Sequence, residues 1–320
     1  MIPVVDLRGS AECYTAEISD ALESIGFVAV TGHGIPAAQF ETMRSLLREL
    51  FDLPDNVKTR DRITRDNYRG FVPLGFFTPN RDDPNAPAPD RYEAFKLHWE
   101  VAHDDPACAE SPIYGPNRWV PEVSNMRSIV LDYWASCDRL AGRLLGVLER
   151  TLGLDAGALQ DRFTKPVTNM TLLHYPPTDP RTDAHGIHPH KDTNVLTVLH
   201  PDPVGGLFVR TRAGEWHEAH CPDDALLLNV GDMLEIWSGG RFVSTPHKVV
   251  NATGSERYSF PWFLAPNHDE VIAPLVEPVP GFNRVDPIHV GDWSLEVWRT
   301  NWPDAAPVDD STHLGTLDFD

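Results

Sequence analysis

The sequence predicts a mainly β protein with flanking helices, its strands forming a sandwich or barrel. Three observations predict this. Apolar residues in the first half recur at helical spacing, whereas from about residue 167 the period falls to two. The later strands are short and split by Gly, Pro and Asp turns. They are bunched after the helices rather than alternating with them, which argues against a doubly wound parallel sheet.

Taken in order, Ile18, Ala21, Leu22 and Ile25 give a first helix that Gly26 stops. Residues 27–30 read as a short buried strand. Phe40, Met43, Leu46, Leu47 and Leu50 make one face of a second helix. Residues 52–120, rich in Pro, Asn, Asp and Arg, predict loops with short elements, and 83–90 an exposed loop. A long helix is expected over 122–152, striped by Val130, Trp134, Leu140, Leu144 and Leu148 and ended by Gly153. Candidate strands are 169–175, 195–200, 206–210, 215–219, 225–230, 233–237, 246–251 and 258–264. Residues 300–320 read as a polar tail. The chain divides into an N-terminal region (1–120), a helix-plus-strand core (121–300) and the tail (301–320), expected to form one compact unit.

Of 320 residues, 27 are Lys or Arg and 47 are Asp or Glu, a formal charge of −20. Nucleic-acid binders draw most of their affinity from phosphate contacts, so this balance argues against that class and against anionic membranes. The opening residues lack the pattern of a signal peptide, and no run of 18 uncharged apolar residues suggests a membrane span. The four cysteines (13, 108, 137 and 221) form no CxxC pair and read as reduced thiols of a cytoplasmic protein.

Histidine is concentrated at His174, His185, His188, His190 and His200. The informative triplet is His190-Lys191-Asp192. On a strand, residues two apart project to one side, their Cα atoms about 6–7 Å apart, while Lys191 would point away. His247, on a later strand, is the best candidate for a third ligand. Two histidines and one carboxylate on one face of an octahedron leave three positions open, as in non-haem Fe(II) oxygenases. A structural zinc site would be closed by four protein ligands. The triplet by itself reads more readily as a turn with surface histidines. A second pair adds weight: Arg257 and Ser259 share a strand face shortly after His247, beyond the turn-like stretch 251–255, and can grip a carboxylate. The chain would thus turn and return on the strand neighbouring His247.

With these residues in place, the sequence resembles the isopenicillin N synthase-like branch of the Fe(II)/2-oxoglutarate-dependent dioxygenases, over about residues 2–268. The resemblance is carried by Ile2-Pro3-Val4-Val5-Asp6-Leu7, by Gly26-Phe27-Val28 through His33-Gly34-Ile35-Pro36, and by Tyr68-Arg69-Gly70-Phe71-Val72-Pro73. His174-Tyr175-Pro176-Pro177, Gly205-Gly206-Leu207, Trp216, the stretch Leu228 to Phe242 and His247-Lys248-Val249-Val250-Asn251 follow in the same order. It implies a double-stranded β-helix, a cupin-like jelly roll, with iron on His190, Asp192 and His247. It implies 2-oxoglutarate on Arg257 and Ser259, with the Tyr175 hydroxyl on the same carboxylate. Leu173 and Thr178 depart from the Asn and Cys that many plant members carry there. Asn229-Val230-Gly231-Asp232 is read as structural, Gly231 allowing a tight turn that Asp232 bonds.

The resemblance further implies O₂-dependent oxidation of an unactivated C–H with release of succinate and CO₂. Hydroxylation is the expected outcome, with desaturation or ring closure as variants. Related halogenases carry Gly or Ala at the position of Asp192, so its carboxylate argues against halogenation. A small-molecule substrate of specialised metabolism and a monomeric protein are expected. Tyr68, Arg69, Phe71, Phe76, Lys96, His98 and Phe263 are substrate-side candidates, and Arg69, Lys96 or His98 could take a substrate carboxylate. Three alternatives stand beside this reading. In an oxidase of the isopenicillin N synthase type, needing no 2-oxoglutarate, Arg257 and Ser259 would grip the substrate. In a zinc hydrolase, His188-Pro189-His190-Lys191-Asp192 would begin an HxHxDH motif, although Thr193 stands where its last histidine belongs. The third is a non-catalytic binding barrel.

Overall fold

The computed structural model describes residues 2–77, 88–179, 185–251, 254–284, 286–300 and 302. The predicted loop at 83–90 lies mostly outside them, as do Ala252 and Thr253 of the turn-like stretch and nearly all of the tail.

In chain order the N-terminal region holds β1 (Val4–Asp6), α1 (Ala11–Ser24), β2 (Phe27–Thr31), α2 (Ala37–Phe51) and α3 (Asp55–Lys58). It continues with β3 (Gly70–Val72), β4 (Glu93–His98) and α4 (Ala107–Glu110). The long α5 (Met126–Leu152) leads to β5 (Asn169–Tyr175), β6 (Ile187–His190), β7 (Leu196–Leu199), β8 (Leu207–Arg210) and β9 (Trp216–Glu218). Next are β10 (Leu226–Val230), α6 (Asp232–Trp237), β11 (His247–Val249), β12 (Arg257–Ser259) and β13 (Trp262–Leu264). The last are β14 (Val271–Ile272), β15 (Ile288–His289) and α7 (Val290–Thr300).

Two sheets make the core. The major sheet runs β1-β2-β10-β7-β13-β5-β4-β3, with β12 also on β5, and the minor sheet runs β6-β11-β8-β9. They meet where the His247 ring stands edge-on to Phe27 at 5.6 Å and where Arg257 Nε donates to the Gly205 carbonyl at 2.7 Å. The result is an open jelly roll, not a closed barrel.

The helices cover the other face of the major sheet. The stripe on α5 buries Val130, Tyr133, Trp134, Cys137, Leu140 and Leu144, and Trp134 meets Trp262 of β13 edge to face. Gly153 takes a left-handed φ of 70°, and Leu154 N bonds the Glu149 carbonyl, closing the helix as predicted. Position 26 requires glycine twice over, by its positive φ of 65° and because a Cβ there would lie 1.9 Å from the Val243 carbonyl oxygen.

Three expectations change. Residues 233–237 form α6, not a strand. Met233, Leu234, Ile236 and Trp237 are all buried, and a short run apolar on every side has no period to separate helix from strand. The expected strand at 258–264 is broken at Phe260-Pro261, since Pro261 has no N–H to give the ladder. Both pieces nevertheless keep one register against β5. β12 does not neighbour the strand of His247: it pairs with β5 in the major sheet, whereas β11 pairs with β6 and β8. Among the short elements expected within 52–120, β4 pairs along its whole length with β5.

All four cysteines are unpaired. Among the described residues no helix is long and apolar enough to cross a membrane.

Candidate active site

His190 is the last residue of β6 and His247 the first of β11, and the two are directly opposed across that antiparallel pair. Their rings lie 4.3 Å apart between centroids. Asp192 is not on the strand with His190, as the two-residue spacing suggested, because β6 ends at His190 and residues 191–193 are irregular. The carboxylate reaches the histidines from this loop. Its Oδ1 is 3.8 Å from His190 Nε2 and 3.6 Å from His247 Nε2. The three ligand atoms all lie within 4.8 Å of one another, the one such His/Cys/Asp/Glu cluster among the described residues.

The far side of each group is occupied. His190 Nδ1 meets the His188 carbonyl at 2.8 Å and His247 Nδ1 the Thr245 carbonyl at 3.1 Å. Donation from both Nδ1 atoms leaves both Nε2 lone pairs free for an ion. Asp192 Oδ2 accepts from Thr197 Oγ1 at 2.5 Å and Asn229 Nδ2 at 2.7 Å, so Oδ1 is the oxygen left to ligate. The loop is pinned as well, by Asp232 N on the Asp192 carbonyl and Gly231 N on that of Val195. Gly231 has an ordinary negative φ, and its role is close approach: a Cβ would meet the Asn194 carbonyl oxygen at 2.1 Å. This corrects the expected tight turn. Asp232, fully buried, pairs with Arg284 at 3.4 Å.

Electrostatics follow from burial and proximity. Burial pushes the Asp192 carboxyl up, but His247, His190 and Asn229 outweigh it and hold the carboxyl well below its usual range. Burial lowers the His247 pKa, yet Asp192 beside it wins and raises it. At His190 burial and then the His247 charge dominate, and the net shift is downward. The cluster is a preformed, ionised carboxylate with two imidazoles, a donor set suited to a divalent transition metal.

The other histidines are engaged elsewhere. His174 faces the outer side of β5, bonded to Glu93 and stacked on Tyr258. His188 bonds Asp90 and lies against the His185 ring. His200 stacks on Phe40 and bonds Arg44.

Directly opposed residues of antiparallel strands project to one face. The registers therefore lay a row across the major sheet: Phe27, Asn229, Thr197, Phe263, Asn169 and His98. Lys96 opposite Thr171, Ser259 opposite Leu173 and Arg257 opposite Tyr175 share that face. A cavity of about 350 Å³ opens onto it, its walls including Tyr68, Lys96, His98 and Phe263 together with His190 and Asp192. Arg69, Phe71 and Phe76 do not line it. Arg69 is buried and donates to the Ile113 carbonyl, its pKa lowered by burial to about 10, while Phe71 and Phe76 are core residues.

Arg257, Ser259 and Tyr175 are buried beside this cavity rather than on its wall. The Tyr175 ring lies 6.0 Å from Tyr92, which is on the wall. The Arg257 guanidinium sits 4.7 Å above the Tyr175 ring. Its Nε is spent on Gly205, but its Nη1 is buried with no partner among the described residues. A buried cationic donor without an acceptor fits an incoming carboxylate. Burial pushes the Tyr175 hydroxyl up to about 12 despite Arg257, so it stays a donor at neutral pH.

Sequence reasoning missed Thr197 and Asn229 as supports of Asp192. The signal was present: each is the one polar residue of a short, otherwise apolar strand, and a buried polar residue needs a partner.

Comparison with known proteins agrees with this geometry. The 2OG-Fe(II) oxygenase superfamily matches residues 167–266, and the N-terminal region of non-haem dioxygenases in morphine synthesis matches residues 2–122. The chain is 30% identical to the 2-oxoglutarate-dependent dioxygenase traH of Penicillium crustosum over 282 residues, 82% of this chain and 83% of that protein. It is also 30% identical to validamycin A dioxygenase of Streptomyces hygroscopicus subsp. limoneus, over 92% of this chain and 85% of that one. The crystal structure of a full-length Neurospora crassa protein in complex with α-ketoglutarate superposes with a TM-score of 0.78 at 22% identity, covering 93% and 95% of the two chains, and shares the double-stranded β-helix fold. The chain belongs to the 2OG-Fe(II) oxygenase superfamily and is an Fe(II)- and 2-oxoglutarate-dependent dioxygenase.

Proposed function

We propose that the enzyme hydroxylates an unactivated C–H of a small molecule held in the 350 Å³ cavity, with iron on His190, Asp192 and His247. The carrying observation is that Nε2, Nε2 and Oδ1 converge while the opposite atoms of all three side chains are bonded away. When bound, iron and 2-oxoglutarate supply the O₂-dependent, decarboxylating chemistry that yields succinate and CO₂. The protein positions the reactants and excludes water.

Arg257 holds the distal carboxylate of 2-oxoglutarate, with Ser259 and the protonated Tyr175 hydroxyl as further donors. The ionised Asp192 occupies a coordination position that a halide would need, which favours hydroxylation. Desaturation or ring closure remains an outcome of the same site. The reading takes the N-terminal region and the core as one unit, in support of which β1 to β4 belong to the same sheet as β5. It takes the enzyme to be a cytoplasmic monomer acting on a metabolite of specialised metabolism, in keeping with a relative named for validamycin A.

The test is anaerobic. Fe(II) and 2-oxoglutarate together should give a weak visible charge-transfer band, abolished in Asp192→Ala and needing more 2-oxoglutarate in Arg257→Ala. An undiminished band in Asp192→Ala would overturn the ligand assignment. Unchanged 2-oxoglutarate affinity in Arg257→Ala would overturn the carboxylate site.

A further inference from the structure

The cavity wall carries three charged side chains: Lys96, Lys191 and Asp192. Two are accounted for. Asp192 is bonded by Thr197 and Asn229 and faces the histidines, and Lys191 Nζ lies 3.9 Å from Glu235. Lys96 is not. Its register opposite Thr171, itself on the wall, turns it into the cavity. Its ammonium lies 5.8 Å from the Tyr68 ring centroid, and no carboxylate of the described residues pairs with it. The Tyr68 face offsets part of the cost of holding this cation in the cavity, but no counter-ion among the described residues offsets the rest.

The other two basic residues that could take a carboxylate are disposed differently. Arg69 faces away, bonded to the Ile113 carbonyl and absent from the wall. His98 is on the wall, but its Nε2 meets the Tyr68 carbonyl, and burial with Arg69 and Lys96 nearby keeps the ring neutral. The remainder of the wall joins apolar and aromatic side chains, among them Tyr68, Phe263 and Trp293, to neutral polar ones such as Asn169, Thr171 and Ser294.

Resting on the function proposed above, we infer that the substrate is a small organic carboxylate whose anionic group pairs with Lys96 while its apolar body lies against Tyr68, Phe263 and Trp293. Strand spacing adds a length. β4, which carries Lys96, and β7, which carries Thr197, are three strands apart in the sheet, or about 14 Å at the usual spacing. A carboxylate at Lys96 thus leaves room for a body of several bonds before the metal ligands.

The test uses 3-phenylpropanoate and its neutral isostere 3-phenylpropanamide, titrated calorimetrically into the anaerobic Fe(II)- and 2-oxoglutarate-loaded enzyme. The carboxylate should bind at least about tenfold more tightly than the amide. Lys96→Met and Lys96→Gln should erase that preference and leave the amide unaffected, whereas Lys96→Arg retains it. Two side-chain replacements, each checked by circular dichroism, guard against a variant that does not fold. A carboxylate that binds no better than its amide, including no binding of either, overturns the proposal, as does a preference that survives loss of Lys96. Weaker binding of 2-oxoglutarate in Lys96→Met would also overturn it, assigning the lysine to the co-substrate. The charge-transfer band separates this inference from the reading beneath it. Loss of the band in the wild type tells against the iron and 2-oxoglutarate site, whereas an intact band without carboxylate preference tells against Lys96 alone.

Discussion

The metal cluster and the ligand pockets around it are built on opposite principles. At the metal end every side chain is braced from behind, Asp192 by Thr197 and Asn229 and each imidazole by a backbone carbonyl. Around the ligand pockets, polar groups are left wanting: Arg257 Nη1 is buried without a partner among the described residues, and Lys96 has only an aromatic face. The braced end suits a permanent occupant, because preorganised ligands need no rearrangement when the ion arrives. The pockets suit occupants that come and go: buried Arg257 Nη1 regains its lost hydrogen bond, and Lys96 its counter-ion, only while a ligand is present.

The sharpest way to break this comparison is to remove a ligand. Asp192→Ala or His247→Ala should lose bound iron and lower succinate release roughly 10³-fold or more, read by metal analysis and turnover. Arg257→Met comes next. Removing one partner of a buried charge pair should weaken 2-oxoglutarate about a hundredfold with iron content intact, seen by titrating the charge-transfer band. Asn229→Ala and Thr197→Val test the bracing. Each should lower iron affinity roughly 10–100-fold, and the double variant should fall short of the product because both side chains serve Oδ2.

Gly231→Ala tests the packing that holds the Asp192 loop. With a Cβ driven against the Asn194 carbonyl oxygen, stability should drop about 1–3 kcal/mol in denaturant melts, with a matching loss of iron affinity. The smallest effect is a pH dependence. Burial lowers the Lys96 pKa to about 8, so the ammonium is present below that pH and lost above it. The groups sharing its wall are His98, neutral throughout, the tyrosines 68 and 92, and Lys191, which lies beside Glu235, with Asp192 and His190 at the metal end. Preference for 3-phenylpropanoate over its amide should be full near pH 7 and fade through about pH 8, and a preference flat to pH 9 would remove Lys96 as the anchor.

The His190, Asp192 and His247 cluster was legible in the sequence because it rests on a short motif, His190-x-Asp192, followed by His247. The route to it was partly wrong. Asp192 converges on the histidines from a loop rather than along a strand, and β12 returns to the other sheet, not beside β11. The motifs survive this because they depend on where side chains end and not on how the backbone delivers them. The substrate side was less legible. Of the named candidates, Tyr68, Lys96, His98 and Phe263 reach the cavity, while Arg69 and Phe71 turn into protein. No local pattern distinguishes Arg69 from Lys96.

By itself the sequence determined the helices α1, α2 and α5, most of the strands after residue 167 and the residue types of the metal cluster. These follow from interactions within a few residues: apolar periodicity, a left-handed glycine at a helix end, a ligand pair two residues apart. Tertiary structure alone decided what stands behind Asp192, that Lys96 faces the cavity while Arg69 turns away from it, and that a run of buried apolar residues would be α6. Each of those depends on the register of strands distant in the chain, where a shift of one residue sends every side chain to the opposite face.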